Sequence, residues 1–292
     1  MPRSKGAHAA ASTLRGARAL AREHSPHSAS HSYALPRPAP PPAPARPVAV
    51  RFLEEGADVV MLSRSSCAET VAHMNSVAGA TPEYVAAHSL WVSSDIESEA
   101  DCAKAAAAAA ERFGGKIDVL VNNAALFVFH SVETASAEDW DRSAAVNIKG
   151  HALLTKACLP YMKKAGGGSI VFQGSISAFL GQPNCATYAT MKGAILQLAR
   201  NIAFDFAKYN IRCNSVCAGT VETPISQEER KAHGWTFDEW QQLKVTDVML
   251  RRVGHVREIA DATLFFACSE SSYCTATHLM VDGGQTQCTI AE

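Results

Sequence analysis

From Val48 onward the sequence alternates short apolar runs of strand length with amphipathic stretches of helix length, separated by brief breaks. This alternation constrains the fold more than any other feature. Consecutive parallel strands need a crossover, and a helix is the usual one, so repeated strand-helix units imply a parallel sheet with helices on both faces. Residues 48–55 read as the end of a helix stopped by Gly56, and residues 57–62 as a buried strand. Residues 66–78 are predicted helical, 90–93 a short strand, 97–113 a helix closed by Gly114 and Gly115, and 117–121 another buried strand. Two helices fill 137–164 with an interruption near Asn147, and 169–172 is a strand. A long helix covers 186–208, followed by a strand at 211–216, a helix at 258–267 and a last strand at 278–281. The connections are short enough for right-handed crossovers within one domain, 48–292, of doubly wound α/β (Rossmann-like) class.

Residues 1–47 are different. They hold nine of the thirteen prolines and seven Lys or Arg against a single acid, Glu23. Such a stretch cannot bury enough apolar surface to order itself and is expected to be a disordered extension. Its basic, Ser-containing, acid-poor character also fits an organelle transit peptide, or a segment foreign to the working protein. The expected location is therefore cytoplasmic, or plastid or mitochondrion if the leader is genuine.

The formal net charge of -1 argues against a nucleic-acid surface, and no apolar run reaches membrane-spanning length. Nine cysteines without a Cys-x-x-Cys pair point to buried thiols in a reducing compartment, and the histidines form no metal-binding spacing, so no metal is expected.

The chemistry lies in the middle of the chain. Tyr188 and Lys192 stand four apart on the long helix and share one face. A lysine ammonium there is expected to favour the phenolate and pull the tyrosine pKa down towards working pH, making it a competent general acid or base. Ser175, thirteen residues earlier and just past a buried strand, falls at the carboxyl edge of the sheet, where ligands of such folds bind.

With Asn122-Asn123-Ala124-Ala125 and Asn147 added, these residues resemble the short-chain dehydrogenase/reductase family over about residues 48–285. The resemblance implies an NAD(P)-dependent oxidoreductase that interconverts a carbonyl and a secondary alcohol. It assigns Tyr188 as proton donor or acceptor, Ser175 as hydrogen-bond partner of the substrate oxygen, Lys192 as partner of the nicotinamide ribose, and Asn147 as the orderer of a water leading from Lys192. Hydride transfer itself is the cofactor's chemistry. It also places Ser63, Arg64, Asp95, Ile96, Asn122, Ala124, Gly219, Val221 and Thr223 at the cofactor. Arg64, where an acid would select NAD, favours NADP, with NAD as second choice. Ala218 replaces the proline that usually opens the Gly219 to Thr223 run.

One part of the family pattern is missing. The Gly-rich turn that receives the pyrophosphate would fall on Ala39, Ala43 and Ala45, interleaved with Pro40, Pro41, Pro42 and Pro44. Prolines lack the N–H donors and alanines resist positive φ, so no phosphate cradle is expected there. The preceding first strand is also expected to be absent. Two readings stay open: an NADP-dependent reductase with an altered amino terminus, or a cofactor-free homologue acting as an interaction or regulatory protein.

Residues 224–249 depart from simple alternation and carry Trp235, Phe237 and Trp240. The family resemblance makes this a lid over the substrate, with Phe127, Phe129, Ala178, Gln182 and Trp235 around the same pocket. The aromatics read equally well as the buried face of an amphipathic helix. The closing Val281-Asp282-Gly283-Gly284 resembles the last strand of members that form homotetramers.

Overall fold

The computed structural model describes residues 18–22 as backbone, and residues 47–77, 80–223, 226–227, 230–231 and 234–287 in full. Among the described residues seven strands form one parallel sheet in the order β3-β2-β1-β4-β5-β6-β7: β1 (Arg18–Arg22), β2 (Asp58–Ser63), β3 (Ser89–Ser93), β4 (Val119–Asn122), β5 (Gly168–Ser175), β6 (Ile211–Ala218) and β7 (His278–Val281). The intervening helices are α1 (Pro47–Glu54), α2 (Ala68–Met74), α3 (Pro82–His88), α4 (Glu99–Arg112), α5 (Ala137–Ala144), α6 (His151–Ala165), α7 (Ala186–Phe206), α8 (Phe237–Lys244) and α9 (Val256–Ala267).

The sheet has its first strand, which corrects the expectation of a missing one. β1 pairs with β2 from Arg18↔Asp58 to Arg22↔Leu62, and with β4 from Ala19↔Val119 to Ala21↔Val121. The physical reason is that β2 and β4 would otherwise each leave an edge of unpaired backbone groups in the interior. A stretch with modest strand propensity is recruited because the slot is there. The rest of the predicted extension, and the Ala39, Ala43 and Ala45 positions, lie outside the described residues.

Strand residues alternate between two cores, as a sheet covered on both faces requires. Val60, Leu62, Leu120, Ile170 and Phe172 pack with α4, α6 and α7, while Val59, Met61, Val119 and Val121 pack with α1 and α2. Each such fully buried side chain contributes roughly 2 kcal/mol of transfer free energy. Helix starts are fixed by side-chain caps: Ser98 accepts from Asp101 N on α4, and Ser136 with Asp139 forms a reciprocal box on α5.

The break near Asn147 is a π-helical turn, Ala145–Gly150, that joins α5 to α6 without a loop. Such turns are rare and concentrate at functional sites. The helix predicted over 66–78 is the shorter α2, and a further helix not predicted from the sequence, α3, is started by Thr81 with Pro82 at its first position. No helix among the described residues is long and apolar enough to cross a membrane.

Candidate active site

The predicted catalytic residues gather at the carboxyl end of β5. Ser175 is the last residue of that strand and is 8% exposed. Its Oγ accepts from Ser177 N at 3.1 Å and donates to Ser177 Oγ at 3.0 Å. Ser177 Oγ in turn donates to Gln182 Oε1 at 2.5 Å, so a short hydroxyl chain runs from Ser175 to an exposed amide.

Tyr188 sits in the first turn of α7 with Lys192 one turn on. The Tyr188 ring packs on Phe127 at 4.5 Å between centroids, and Phe127 stacks on the exposed Phe129 at 5.8 Å. Burial pushes the Tyr188 phenol up to about 12; a hydrogen bond with Ser175 opposes that rise and nearby Cys185 adds to it. Lys192 is almost fully buried, and burial brings its ammonium down to about 8. Its Nζ donates to Gln173 O at 2.6 Å and stands 5.4 Å from the Tyr188 ring centroid.

The expected depression of the tyrosine pKa by Lys192 is therefore corrected. Burial outweighs every favourable interaction of the phenolate, and the ammonium is directed to a backbone carbonyl rather than to the phenol oxygen. Tyr188 is half-buried by its surface, and that burial favours the phenol over the phenolate.

Asn147 is fully buried in the π-helical turn and makes a two-way bond with the backbone of Leu126: its Oδ1 accepts from Leu126 N at 2.8 Å and its Nδ2 donates to Leu126 O at 2.9 Å. One turn further on, His151 Nε2 lies 2.9 Å from Ala124 O; a carbonyl only accepts, so that nitrogen carries the hydrogen. Together the two side chains hold alternate residues of the segment after β4, which carries Phe127 to Tyr188. Gly150 lies between them because a Cβ there would overlap Ile96. Nothing in the spacing of His151 or in the backbone carbonyl of Gln173 identified either of them beforehand.

Of the predicted cofactor residues, Asn122 is fully buried at the end of β4; its Nδ2 donates to Thr155 Oγ1 at 3.2 Å, while its Oδ1 has no partner. A buried acceptor without a partner is a group that a ligand donor would satisfy. Ala124 is buried beside it. Arg64 and Asp95 are both part-exposed and face one another at 3.7 Å. Val221 bridges to Gly254, and Thr223 trades hydrogen bonds with Ser226, its N donating to Ser226 Oγ at 2.8 Å. Gly219 approaches the C-terminal turn so closely that a Cβ would come 2.6 Å from Asp282 Cα.

Two expectations do not hold for side chains. Ser63 is fully buried: its Oγ donates to Ser65 O at 2.5 Å and accepts from Trp91 Nε1 at 3.0 Å, so the hydroxyl shapes the loop and is not offered to a ligand. Ile96 is a core residue whose side chain packs under Gly150. Among the aromatics, Trp240 is buried on the inner face of α8, with the Arg230 guanidinium over the rings of Phe237 and Trp240, while Trp235 stays partly exposed. The buried-face reading of that helix thus holds for Trp240.

This arrangement agrees with what the chain resembles. A family model described as Enoyl-(Acyl carrier protein) reductase matches residues 45–286, and the chain belongs to the short-chain dehydrogenase/reductase family. It is 35% identical to an uncharacterized oxidoreductase of Thermotoga maritima over 82% of this chain and 91% of that one. It is 36% identical to the 2-(R)-hydroxypropyl-CoM dehydrogenase of Xanthobacter autotrophicus, covering 82% of this chain and 92% of the relative. The crystal structure of a gluconate 5-dehydrogenase from Burkholderia cenocepacia, in complex with NADP and tartrate, superposes with a TM-score of 0.75 over 95% of this chain and 98% of that one, at 26% identity. The chain is an oxidoreductase by family, and alcohol/carbonyl oxidoreduction with a nicotinamide nucleotide is the chemistry this membership supports.

Proposed function

We propose that this protein reduces a carbonyl of modest size, or oxidises the corresponding secondary alcohol, with NADP as preferred cofactor and NAD as second choice. The observation that carries the reading is the convergence of Ser175, Tyr188 and Lys192 at the end of β5 beside the segment pinned by Asn147. The nicotinamide nucleotide, when bound, supplies or takes the hydride.

The residues have distinct tasks. Tyr188, neutral at working pH, gives its proton to the carbonyl oxygen during reduction, and Ser175 donates to the same oxygen as negative charge develops. Replacing that proton requires a path to solvent, which the family resemblance assigns to Lys192 and a water ordered at Asn147, while the Ser175–Ser177–Gln182 chain orients the Ser175 hydroxyl. Lys192 supplies positive charge under the site and would turn from Gln173 O to a ribose hydroxyl. Asn122 Oδ1, Ala124, the backbone at Ile96 and 219–221, and Thr223 would line the cofactor. Arg64 would exchange its long contact with Asp95 for a 2′-phosphate. Phe127 and Trp235 would face the substrate, with Gln182 at the rim.

One observation favours a second reading. The sequence puts alanines and prolines where the family has its glycine turn, which supports a cofactor-free homologue acting through binding partners. For self-association we propose a homotetramer through β7 and the helices α6 and α7, supported by the exposed Leu279 and Phe204. Titrating the full chain with NADPH and with NADH while following nicotinamide fluorescence separates the readings. Saturable binding, tighter for NADPH, supports the oxidoreductase; no binding to either refutes it for this chain.

A further inference from the structure

The turn that follows β7 touches both the loop after β6 and the segment beyond α8, and the contacts converge on one buried amide. Gln285 is 7% exposed. Its Oε1 accepts from Thr220 N and from Thr220 Oγ1, both at 3.2 Å, and its Nε2 donates to Asp247 Oδ2 at 3.0 Å. Thr220 belongs to the loop after β6 that ends in Thr223, and Asp247 lies three residues beyond α8.

The backbone of the turn follows the same two directions. Towards the loop, Gly219 N donates to Val281 O at 3.0 Å. Towards the α8 segment, Leu250 N donates to Gly283 O at 3.1 Å. Gly283 and Gly284 adopt positive φ, 61° and 84°, and a Cβ on them would come 2.8 Å from Val248 and 2.7 Å from Met249. The turn itself is held rigid by the Asp282 carboxylate, which accepts from Gly284 N at 3.0 Å and from Thr286 N and Oγ1 at 2.8 Å and 2.7 Å.

We propose that Gln285 is a positioning residue that couples the loop 219–223 to the segment 237–250, so that the two walls of the crevice hold or yield together. The proposal rests on the oxidoreductase reading only in taking the first wall as the cofactor side and the second as the substrate side.

The choice of residue follows from donor and acceptor arithmetic. Thr220 presents two donors and Asp247 a carboxylate, so the joint needs an acceptor and a donor on one side chain, which an amide provides. A glutamate would keep the Thr220 half and set one carboxylate against another at Asp247. An aliphatic residue would leave the Thr220 N–H without its partner.

Hydrogen–deuterium exchange of the full chain, read by mass spectrometry, tests this. Q285A is expected to raise exchange in both 219–223 and 244–250 by about five- to tenfold, the scale of one net hydrogen bond lost at each end. Q285E is expected to raise it in 244–250 alone. D247N by itself leaves both segments near wild type, because the asparagine oxygen still accepts from Gln285. The double variant Q285E/D247N restores wild-type exchange, because the amide introduced at position 247 then donates to the carboxylate introduced at position 285.

With saturating NADPH, protection of 219–223 should spread to 244–250 in the wild type and stop at the loop in Q285E. Failure of the double variant to recover, or equal exchange in Q285E and wild type at 244–250, overturns the coupling. Should Q285A not fold, the Q285E and Q285E/D247N pair still decides the matter. Absence of NADPH binding would overturn the oxidoreductase reading, while the exchange cycle would still support or overturn the coupling by itself.

Discussion

Lys192→Met is the perturbation whose effect can be worked furthest from this structure. Burial lowers the ammonium from its ordinary 10.5 to about 8. At about 1.36 kcal/mol for each pH unit of displacement, that is a penalty of roughly 3 kcal/mol for holding the charged form inside the fold. Below pH 8 both folded and unfolded chains carry the proton, so the full penalty applies. Between 8 and 10.5 the folded chain has released the proton while the unfolded chain still binds it, and stability rises with pH. Above 10.5 both are neutral and the penalty is gone. Methionine fills similar volume without a charge, so its fold has no such dependence. The loss of the bond to Gln173 O is a constant offset of about 1 to 2 kcal/mol that does not change with pH. Urea denaturation of both proteins at about pH 7 and about pH 10 should therefore show the wild-type stability gaining about 2 to 3 kcal/mol on the variant. A difference that stays flat between these two conditions would refute the claim that Lys192 is buried as an ammonium.

The same burial predicts that kcat/KM for carbonyl reduction falls above pH about 8 as Lys192 loses its charge, with no matching loss from Tyr188, which keeps its proton up to about 12; a rate that holds steady to about pH 10 would contradict it. Tyr188→Phe should cut the reductive rate by about 10²- to 10⁴-fold while the melting temperature stays close to wild type; an active variant would remove tyrosine from the proton step. Asn147→Ala should cost about 2 to 4 kcal/mol in urea denaturation, because it strands both backbone groups of Leu126 in the interior. Arg64→Glu should weaken NADPH about 10- to 100-fold and spare NADH, since its long, exposed contact with Asp95 is worth little and its charge is the feature that meets a 2′-phosphate.

The parts of this fold that could be read from the chain are those where local chemistry and tertiary role coincide. β2 and β4 carry continuous apolar runs of strand length, and α7 extends over 21 residues with an apolar face, so the sequence pattern alone located them. The same holds for the Tyr188 and Lys192 pair, because i and i+4 on a helix must share a face. What periodicity could not supply is anything decided by burial. The spacing predicted a depressed tyrosine pKa, but the desolvation that raises it depends on Phe127, which a segment much earlier in the chain must deliver. Ser63 looked like a ligand donor from its place at a strand end, and only the arrival of Trp91 from the neighbouring strand shows its hydroxyl already engaged.

The first strand makes the point most sharply. Arg18–Arg22 offers three small or apolar residues between two arginines, too little for any pattern-based assignment, yet it takes an interior place in the sheet, between β2 and β4. Its pairing with both β2 and β4 satisfies backbone groups on two flanking edges at once, so the gain from filling that slot exceeds the weak preference of the five residues that fill it. An interior strand is thus specified mostly by its neighbours, and a chain can change much of its amino-terminal sequence and still complete the sheet. A phosphate-binding turn has no such tolerance, because its N–H groups and positive φ angles must come from the residues themselves. Completing the sheet and cradling a phosphate thus make different demands on an amino-terminal sequence: the first is met by any stretch that fills the slot between β2 and β4, and the second only by residues of the right type.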